Sequence, residues 1–371
     1  MINTVDFSTA LDGIVNFYAG VPDSLLKNFC ARLSNTKAQN EHIIAANEGN
    51  ALALAAGHTI ASGKPACVYM QNSGLGNIVN PFLSLMDKAV YRLPVLFIIG
   101  WRGEPGVKDE PQHVTQGELT LPLLECMRIP YRVMDADSDY TAILQEAQEA
   151  LNQDKPFALV VRKGSFSSCK LETPLADISS LNREEAIGTI LETLPEEYRF
   201  VSTTGKISRE LYEHRDARGE VHNKDFLVVG SMGHTSQIAL GALLARPDLP
   251  LCCLDGDGSV LMHMGSLAVN GSFQDLPLLH IMINNGSHDT VGGQPTVAGG
   301  VDWPALAQAA GYERCLSCDS RDSLQKVLNT VLDQKGGMTF VELRVAKGSR
   351  DDLGRPKVSA LNCRLNFQEA L

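Results

Sequence analysis

The sequence predicts an α/β protein made of two similar domains, each a six-stranded parallel sheet with helices on both faces. Three observations carry this expectation. Short apolar runs alternate with helical patterns along the whole chain, as βα repeats do. The runs divide evenly, six in each half. The punctuation also repeats. Glu48, an Ala-rich helix, Pro65, a strand, the turn Asn72-Ser73-Gly74, a helix and Leu93-Pro94 come in that order. Met232, a helix, Pro250, a strand, the turn Gly256-Asp257-Gly258, a helix and Leu276-Pro277 follow the same order at nearly the same spacing.

In chain order, strands are expected at residues 14–18, 42–46, 66–70, 95–99, 131–134 and 157–161. The second half gives 200–203, 226–229, 251–254, 278–283, 314–317 and 339–343. Helical patterns over 51–61, 140–151 and 236–245 separate some of them. A polar stretch rich in Ser, Thr and Pro, residues 163–183, is the expected join, giving domains at 1–170 and 184–371. Residues 100–117 and 286–300 lack an apolar period, and loops of that length in compact domains are functional or disordered. Trp101 and the helix beyond favour an anchored functional loop for the first. Glycines in the second would let a lid close. Residues 346–371 are expected to form a polar tail, with Arg350 and Arg355 open between surface and site roles.

Composition narrows the partners. The formal net charge is −11 and no Lys/Arg-rich run occurs, which argues against nucleic acid or an anionic membrane surface. An anionic small substrate would need a few local cations. The N-terminus lacks a basic start and a cleavable apolar core, and no apolar run reaches transmembrane length. Nine scattered cysteines, an odd number, fit reduced thiols in the cytoplasm. The pair Cys315 and Cys318 has no second pair or nearby His, so half-buried strand-end thiols are expected there rather than zinc.

The chemistry concentrates between Leu254 and Asp289. The strand ending at Asp255 runs into Gly256-Asp257-Gly258-Ser259, whose glycines let backbone N–H groups approach an anion. A helix opening at Ser259 would aim its dipole at the same place. The next strand ends in Asn284 and Asn285, so both polar ends lie at the carboxyl edge of a parallel sheet, where such folds bind ligands. One carboxylate, amide oxygens and a phosphate cradle suit Mg²⁺ shared with a diphosphate. Gly-Asp-Gly alone would be an ordinary turn; the whole order of strand, turn, helix, strand and Asn-Asn is harder to dismiss.

These residues resemble the thiamine diphosphate motif, and further segments resemble the phosphonopyruvate decarboxylase family. They are Gly20-Val21-Pro22-Asp23-Ser24-Leu25-Leu26, Ala46-Asn47-Glu48-Gly49-Asn50-Ala51 and Tyr69-Met70-Gln71-Asn72-Ser73-Gly74-Leu75-Gly76-Asn77. The loop over 100–117, Asn285-Gly286-Ser287-His288-Asp289 and Gly292-Gly293-Gln294-Pro295-Thr296 agree too. Sulfopyruvate decarboxylases share much of this pattern. The resemblance implies two domains of the thiamine diphosphate-binding fold with no middle domain, one for the pyrimidine ring and one for the diphosphate.

The resemblance also assigns residues. Mg²⁺ would be held by Asp257, Asn285 and the main-chain oxygen of Ser287. Gly256, Gly258 and Ser259 would cradle the diphosphate. Glu48 would meet the pyrimidine nitrogen, Met232 would wedge beneath the two rings, and the Gly230 carbonyl would accept from the 4′-amino group. Asp23 and His113 would transfer protons over the reacting carbon. Arg102 and Lys108, the only cations of their loop, would meet the phosphonate with help from Ser24. The implied activity is decarboxylation of 3-phosphonopyruvate, a small anionic 2-oxo acid, to phosphonoacetaldehyde and CO₂, in a homodimer or larger assembly with sites at subunit interfaces. The alternatives are sulfopyruvate decarboxylation, carboligation, or a non-catalytic phosphate-binding α/β protein, which would have no need of Glu48.

Overall fold

The computed structural model describes every residue except 173–176 and Lys335. The chain divides into two compact units, Met1–Pro174 with Thr290–Gln294, and Leu175–Asp289 with Pro295–Leu371. The expected join at 163–183 includes residues 173–176, which lie outside the described residues.

The first unit holds β1 (Tyr18–Gly20), β2 (His42–Ile44), β3 (Ala66–Gln71), β4 (Val95–Gly100), β5 (Tyr131–Met134) and β6 (Phe157–Val161). They form one sheet in the order β2-β1-β3-β4-β6-β5, every pair parallel. Alternate side chains enter opposite cores, as the two-residue strand period requires. Val68, Met70, Phe97 and Ile99 pack on one face, and Cys67, Tyr69, Leu96 and Ile98 on the other. Being buried on both faces, these strands read as continuous apolar runs.

The second unit repeats the plan with β7 (Arg199–Ser202), β8 (Asp225–Leu227), β9 (Leu251–Gly256), β10 (Leu278–Asn284), β11 (Arg314–Cys318) and β12 (Thr339–Arg344). Its order is β11-β12-β10-β9-β7-β8, again all parallel. Read from the other edge, this is the first sheet's order. No middle domain separates the two.

Four expectations need correction. Strand β1 starts at Tyr18 rather than residue 14. The helix Thr4–Asp12 closes in a turn, with the N–H groups of Ile14 and Val15 both returning to the Leu11 carbonyl at 2.9 and 3.0 Å. Those donors are therefore lost to the sheet. Strand β8 stops at Leu227, because the chain then turns through Ser231 and Gly233, both at positive φ. The stretch expected as a loop to residue 117 becomes helix at Pro111 (Pro111–Cys126), with Pro at its first position where no N–H is needed. His113 thus sits on a helix. The expected polar tail carries the helix Ala360–Glu369, which Ser359 caps and which buries Cys363 and Phe367. Arg350 in that tail pairs with Glu184, Glu213 and Asp352.

Among the described residues, no helix is long and apolar enough to cross a membrane. Cys315 and Cys318 both lie on β11, partly buried and buried.

Candidate active site

In the first unit the polar residues gather after β1, β2, β3 and β4. Glu48 opens the helix Glu48–Ser62, whose cap Asn47 accepts the Asn50 N–H. A carboxylate is favoured at that helix start. The Glu48 side chain is nonetheless buried, and its Oε2 accepts from the Asn77 amide at 2.7 Å. Gly74 lies against it so closely that a Cβ there would stand 2.5 Å from the Glu48 side chain. Asn77 and Gly74 thus fix one rotamer of a buried acid.

Asp23 follows β1 and is fully buried. Its Oδ2 accepts the Leu25 N–H at 2.9 Å, while its Oδ1 has no hydrogen-bond partner among the described residues. Burial pushes its carboxyl up to about 6, against the pull of the Leu25 N–H and the Arg102 charge. A Cβ on Gly100, at the end of β4, would fall 2.1 Å from Asp23 Oδ2, so only glycine leaves room for the carboxyl.

The loop after β4 is anchored by its backbone. Trp101 donates its indole N–H to the Gly117 carbonyl at 2.9 Å. Asn72 donates to the Arg102 carbonyl at 2.8 Å and accepts the Arg102 N–H at 3.1 Å. Gly103, at φ 68°, leaves no space for a side chain beside the His113 carbonyl. The Arg102 guanidinium donates Nε and Nη2 to Asp109 (2.8 and 2.5 Å) and Nη1 to the Ser24 hydroxyl at 2.9 Å. That fork holds the Asp109 carboxyl down at about 2. Among the described residues, each terminal nitrogen of Arg102 keeps one N–H uncommitted. His113 is buried, its Nδ1 has no partner among the described residues, and burial followed by the Arg102 charge lowers its pKa. Asp23, Ser24, Arg102 and His113 therefore form one cluster. Lys108 stays exposed on the loop.

In the second unit, β9 and β10 deliver the other polar set. The helix after β9 opens at Asp257 rather than Ser259 and is short, Asp257–Met262. Asp257 is buried, with Oδ2 accepting from the Thr296 hydroxyl at 2.5 Å, and burial pushes its carboxyl up to about 6. Ser259 accepts from the Gly233 N–H at 3.0 Å and the Thr203 hydroxyl at 3.2 Å, which ties the turn after β8 to this helix start. In that same turn, the Met232 methyl lies 3.3 Å from where a Cβ on Gly258 would be, and a His288 ring carbon 3.2 Å from it. Gly230 stands two residues before Met232, partly buried. Gly256 closes β9 and gives its N–H to Asp255 at 2.9 Å.

Past β10, Asn285 is buried, and its Oδ1 accepts the Ser287 N–H at 3.0 Å. Ser287 is buried, its hydroxyl has no partner among the described residues, and it bridges to Pro295 across the loop. Asn284 is committed elsewhere, to Glu342 at 2.8 Å and the Gly286 N–H at 3.1 Å. The buried Asp257 carboxylate, the buried Asn285 amide oxygen and the main-chain oxygen of buried Ser287 are hard-oxygen donors of the kind that fits Mg²⁺ beside a diphosphate. Asn77 and Thr296 escaped the sequence reading as partners, whereas the acids of the loop, Asp109 among them, were the alternative partners for Arg102, and Asp109 does pair with it. Asn77 and Thr296 lie within the motif segments, but nothing in the sequence alone tells which side chain each would meet.

The comparisons with known proteins agree with both halves. The N-terminal TPP binding domain of thiamine pyrophosphate enzymes matches residues 10–123, and the C-terminal TPP binding domain matches residues 203–343. A phosphonopyruvate decarboxylase of Streptomyces viridochromogenes is 36% identical over 386 residues, covering 99% of this chain and 94% of that protein. Another, from Streptomyces hygroscopicus, is 35% identical over 387 residues, covering 100% and 94%. A sulfopyruvate decarboxylase of Methanosarcina acetivorans is 26% identical over 333 residues, covering 84% and 82%. With end-to-end identity of that order and both cofactor domains matched, the chain belongs to the phosphonopyruvate decarboxylase family of thiamine pyrophosphate enzymes.

Proposed function

We propose that the protein decarboxylates 3-phosphonopyruvate to phosphonoacetaldehyde and CO₂, using thiamine diphosphate and Mg²⁺. The observation that carries this is full-length identity of 35–36% to two phosphonopyruvate decarboxylases, against 26% to the sulfopyruvate enzyme. When bound, the cofactor supplies an electron sink for the departing carboxylate. This chain's residues do the rest. Asp257, Asn285 and the Ser287 carbonyl would hold Mg²⁺, with Gly256, Gly258 and Ser259 around the diphosphate. Met232, over Gly258, would support the bent cofactor, and the Gly230 carbonyl would receive its amino group. Glu48, buried and oriented by Asn77, would meet the pyrimidine nitrogen.

Asp23 keeps its proton to about pH 6 because it is buried, which suits a group that passes a proton at the reacting carbon. His113, pushed towards its neutral form, would serve beside it. The planar Arg102 fork, with one further N–H on each terminal nitrogen, suits two oxygens of a tetrahedral phosphonate; Ser24 would add a hydroxyl, and Lys108 a point charge from the loop. The helix that Glu48 opens exposes Leu54 and Ile60, and Leu83, Val90 and Tyr91 are also exposed. Such apolar surface supports assembly into a homodimer or larger form, with the sites completed at subunit interfaces. The nine cysteines are all free thiols, which supports a cytoplasmic location, and the proposed product would serve phosphonate biosynthesis.

The test is CO₂ release from phosphonopyruvate, sulfopyruvate and pyruvate, side by side. Preference for phosphonopyruvate is expected, and equal or greater turnover of sulfopyruvate would overturn the assignment. Mixing inactive Glu48→Ala and Asp257→Ala chains is expected to restore part of the activity, and an active monomer by light scattering would refute the shared site.

A further inference from the structure

Among the buried ionic groups that the proposed reaction leaves unused, one ends on a residue proposed to hold the cation. Arg183 begins the helix Arg183–Thr193 and is 4% exposed. It gives Nε and Nη2 to Glu210 at 2.7 and 2.8 Å, and Nη1 to Asp289 Oδ2 at 3.2 Å. The same Asp289 oxygen accepts the Gly348 N–H at 3.0 Å and the Asn285 amide at 2.8 Å. Asn285 therefore has an acceptor on its nitrogen side and, on its oxygen side, the Ser287 N–H at 3.0 Å.

Only one orientation of the Asn285 amide satisfies both neighbours. Rotated by half a turn, its oxygen would face the Asp289 carboxylate and its NH₂ would face the Ser287 N–H. Two favourable contacts would become two repulsive ones. The orientation is thus fixed by chemistry, and it leaves Oδ1 as the atom open to a cation. Asp289 can do this only if its own carboxylate is held still. The Gly348 N–H and Arg183 hold it, and Glu210 immobilises Arg183 through a bidentate fork.

We infer that Asp289 is a positioning residue that sets which atom of Asn285 faces the cation, and that Arg183, locked by Glu210, clamps Asp289. The inference rests on the proposed role of Asn285 as a metal ligand. Groups that orient metal ligands typically contribute about 10–100-fold to metal affinity. Mg²⁺ demands near-ideal octahedral geometry, whereas Ca²⁺ tolerates irregular shells. A loosened Asn285 should therefore be felt more by Mg²⁺ than by Ca²⁺, which simple destabilisation of the fold would not produce.

The experiment reads cofactor binding rather than turnover. Thiamine diphosphate binding to the full chain is followed by calorimetry while Mg²⁺ or Ca²⁺ is titrated, for the wild type and Asp289→Ala, Asp289→Asn and Asn285→Ala. Asp289→Ala is expected to raise the Mg²⁺ requirement about 10–100-fold and the Ca²⁺ requirement less. Asp289→Asn, whose oxygen can still accept from Asn285, is expected to recover most of the Mg²⁺ affinity. Should Asp289→Ala not fold, Asp289→Ser, which cannot reach Asn285, makes the same comparison. Wild-type Mg²⁺ affinity in Asp289→Ala beside a defective Asn285→Ala overturns the inference and leaves the metal site standing. Equal losses in Asp289→Asn and Asp289→Ala, or equal losses for the two cations, also overturn it. Wild-type binding by Asn285→Ala refutes instead the metal site on which it rests.

Discussion

Asp23→Asn isolates the energetic consequence of burying a carboxyl at the end of β1. The group is fully buried and its pKa rises from 3.8 to about 6, chiefly through desolvation. The folded value lies above the unfolded one, so the native state holds the proton more tightly. The stabilising contribution is then complete below about pH 4 and disappears as pH rises through about 6. At about 1.4 kcal/mol per pH unit, the difference between 3.8 and about 6 corresponds to about 3 kcal/mol. Asparagine keeps the size and can accept the Leu25 N–H, but it never ionises. Urea unfolding of both proteins without cofactor, at several pH values between about 4 and 7.5, checks this. The stability of Asp23→Asn relative to wild type is expected to climb by about 3 kcal/mol across that window and to level off above it. All other acids are common to both proteins and cancel in the difference. A difference that stays flat with pH, or that falls as pH rises, would refute the placement of Asp23 as a dry carboxyl.

Other perturbations have equally direct outcomes. Glu48→Gln is expected to bind cofactor yet lose about 10²-fold or more in turnover and in exchange of the thiazolium C2 proton, measured by NMR. Gly74→Ala places a methyl 2.5 Å from the Glu48 side chain, so turnover should fall while calorimetric cofactor affinity holds. Asp257→Ala is expected to abolish Mg²⁺-dependent cofactor binding, scored by dialysis and readdition. Arg102→Ala should lower kcat/KM on phosphonopyruvate by about 30-fold or more, in line with buried charge contacts of about 2–5 kcal/mol, and affect pyruvate far less. Lys108→Ala, an exposed point charge, should have the smaller effect in the same assay.

The sheets were legible because their strands are buried on both faces, so each is a bare apolar run between turn residues. The Gly-Asp-Gly turn and Asn285 were legible for a related reason: polar residues that interrupt such runs at the carboxyl edge stand out. Helix onset at Pro111 was hidden by the Gly and polar residues around His113. Side-chain partnerships were hidden altogether. Asn77 is 29 residues from Glu48, and Thr296 is 39 from Asp257. Only the crossovers of a parallel sheet bring such pairs together, and no local period marks them. Helix Ala360–Glu369 escaped notice because just Cys363 and Phe367 among its residues are buried.

Each six-stranded sheet takes all its strands from one half of the chain, and each apolar cluster does the same. Among the described residues, neither half lends the other a strand or a member of an apolar cluster, although Thr290–Gln294 groups with the first unit. A polypeptide organised this way is modular at the level of the gene: its halves can drift, recombine or be encoded apart without opening a sheet. The acid proposed for the pyrimidine and the ligands proposed for the metal then become traits inherited separately, and selection can revise the substrate cluster around Arg102 while leaving the Asp257 turn untouched.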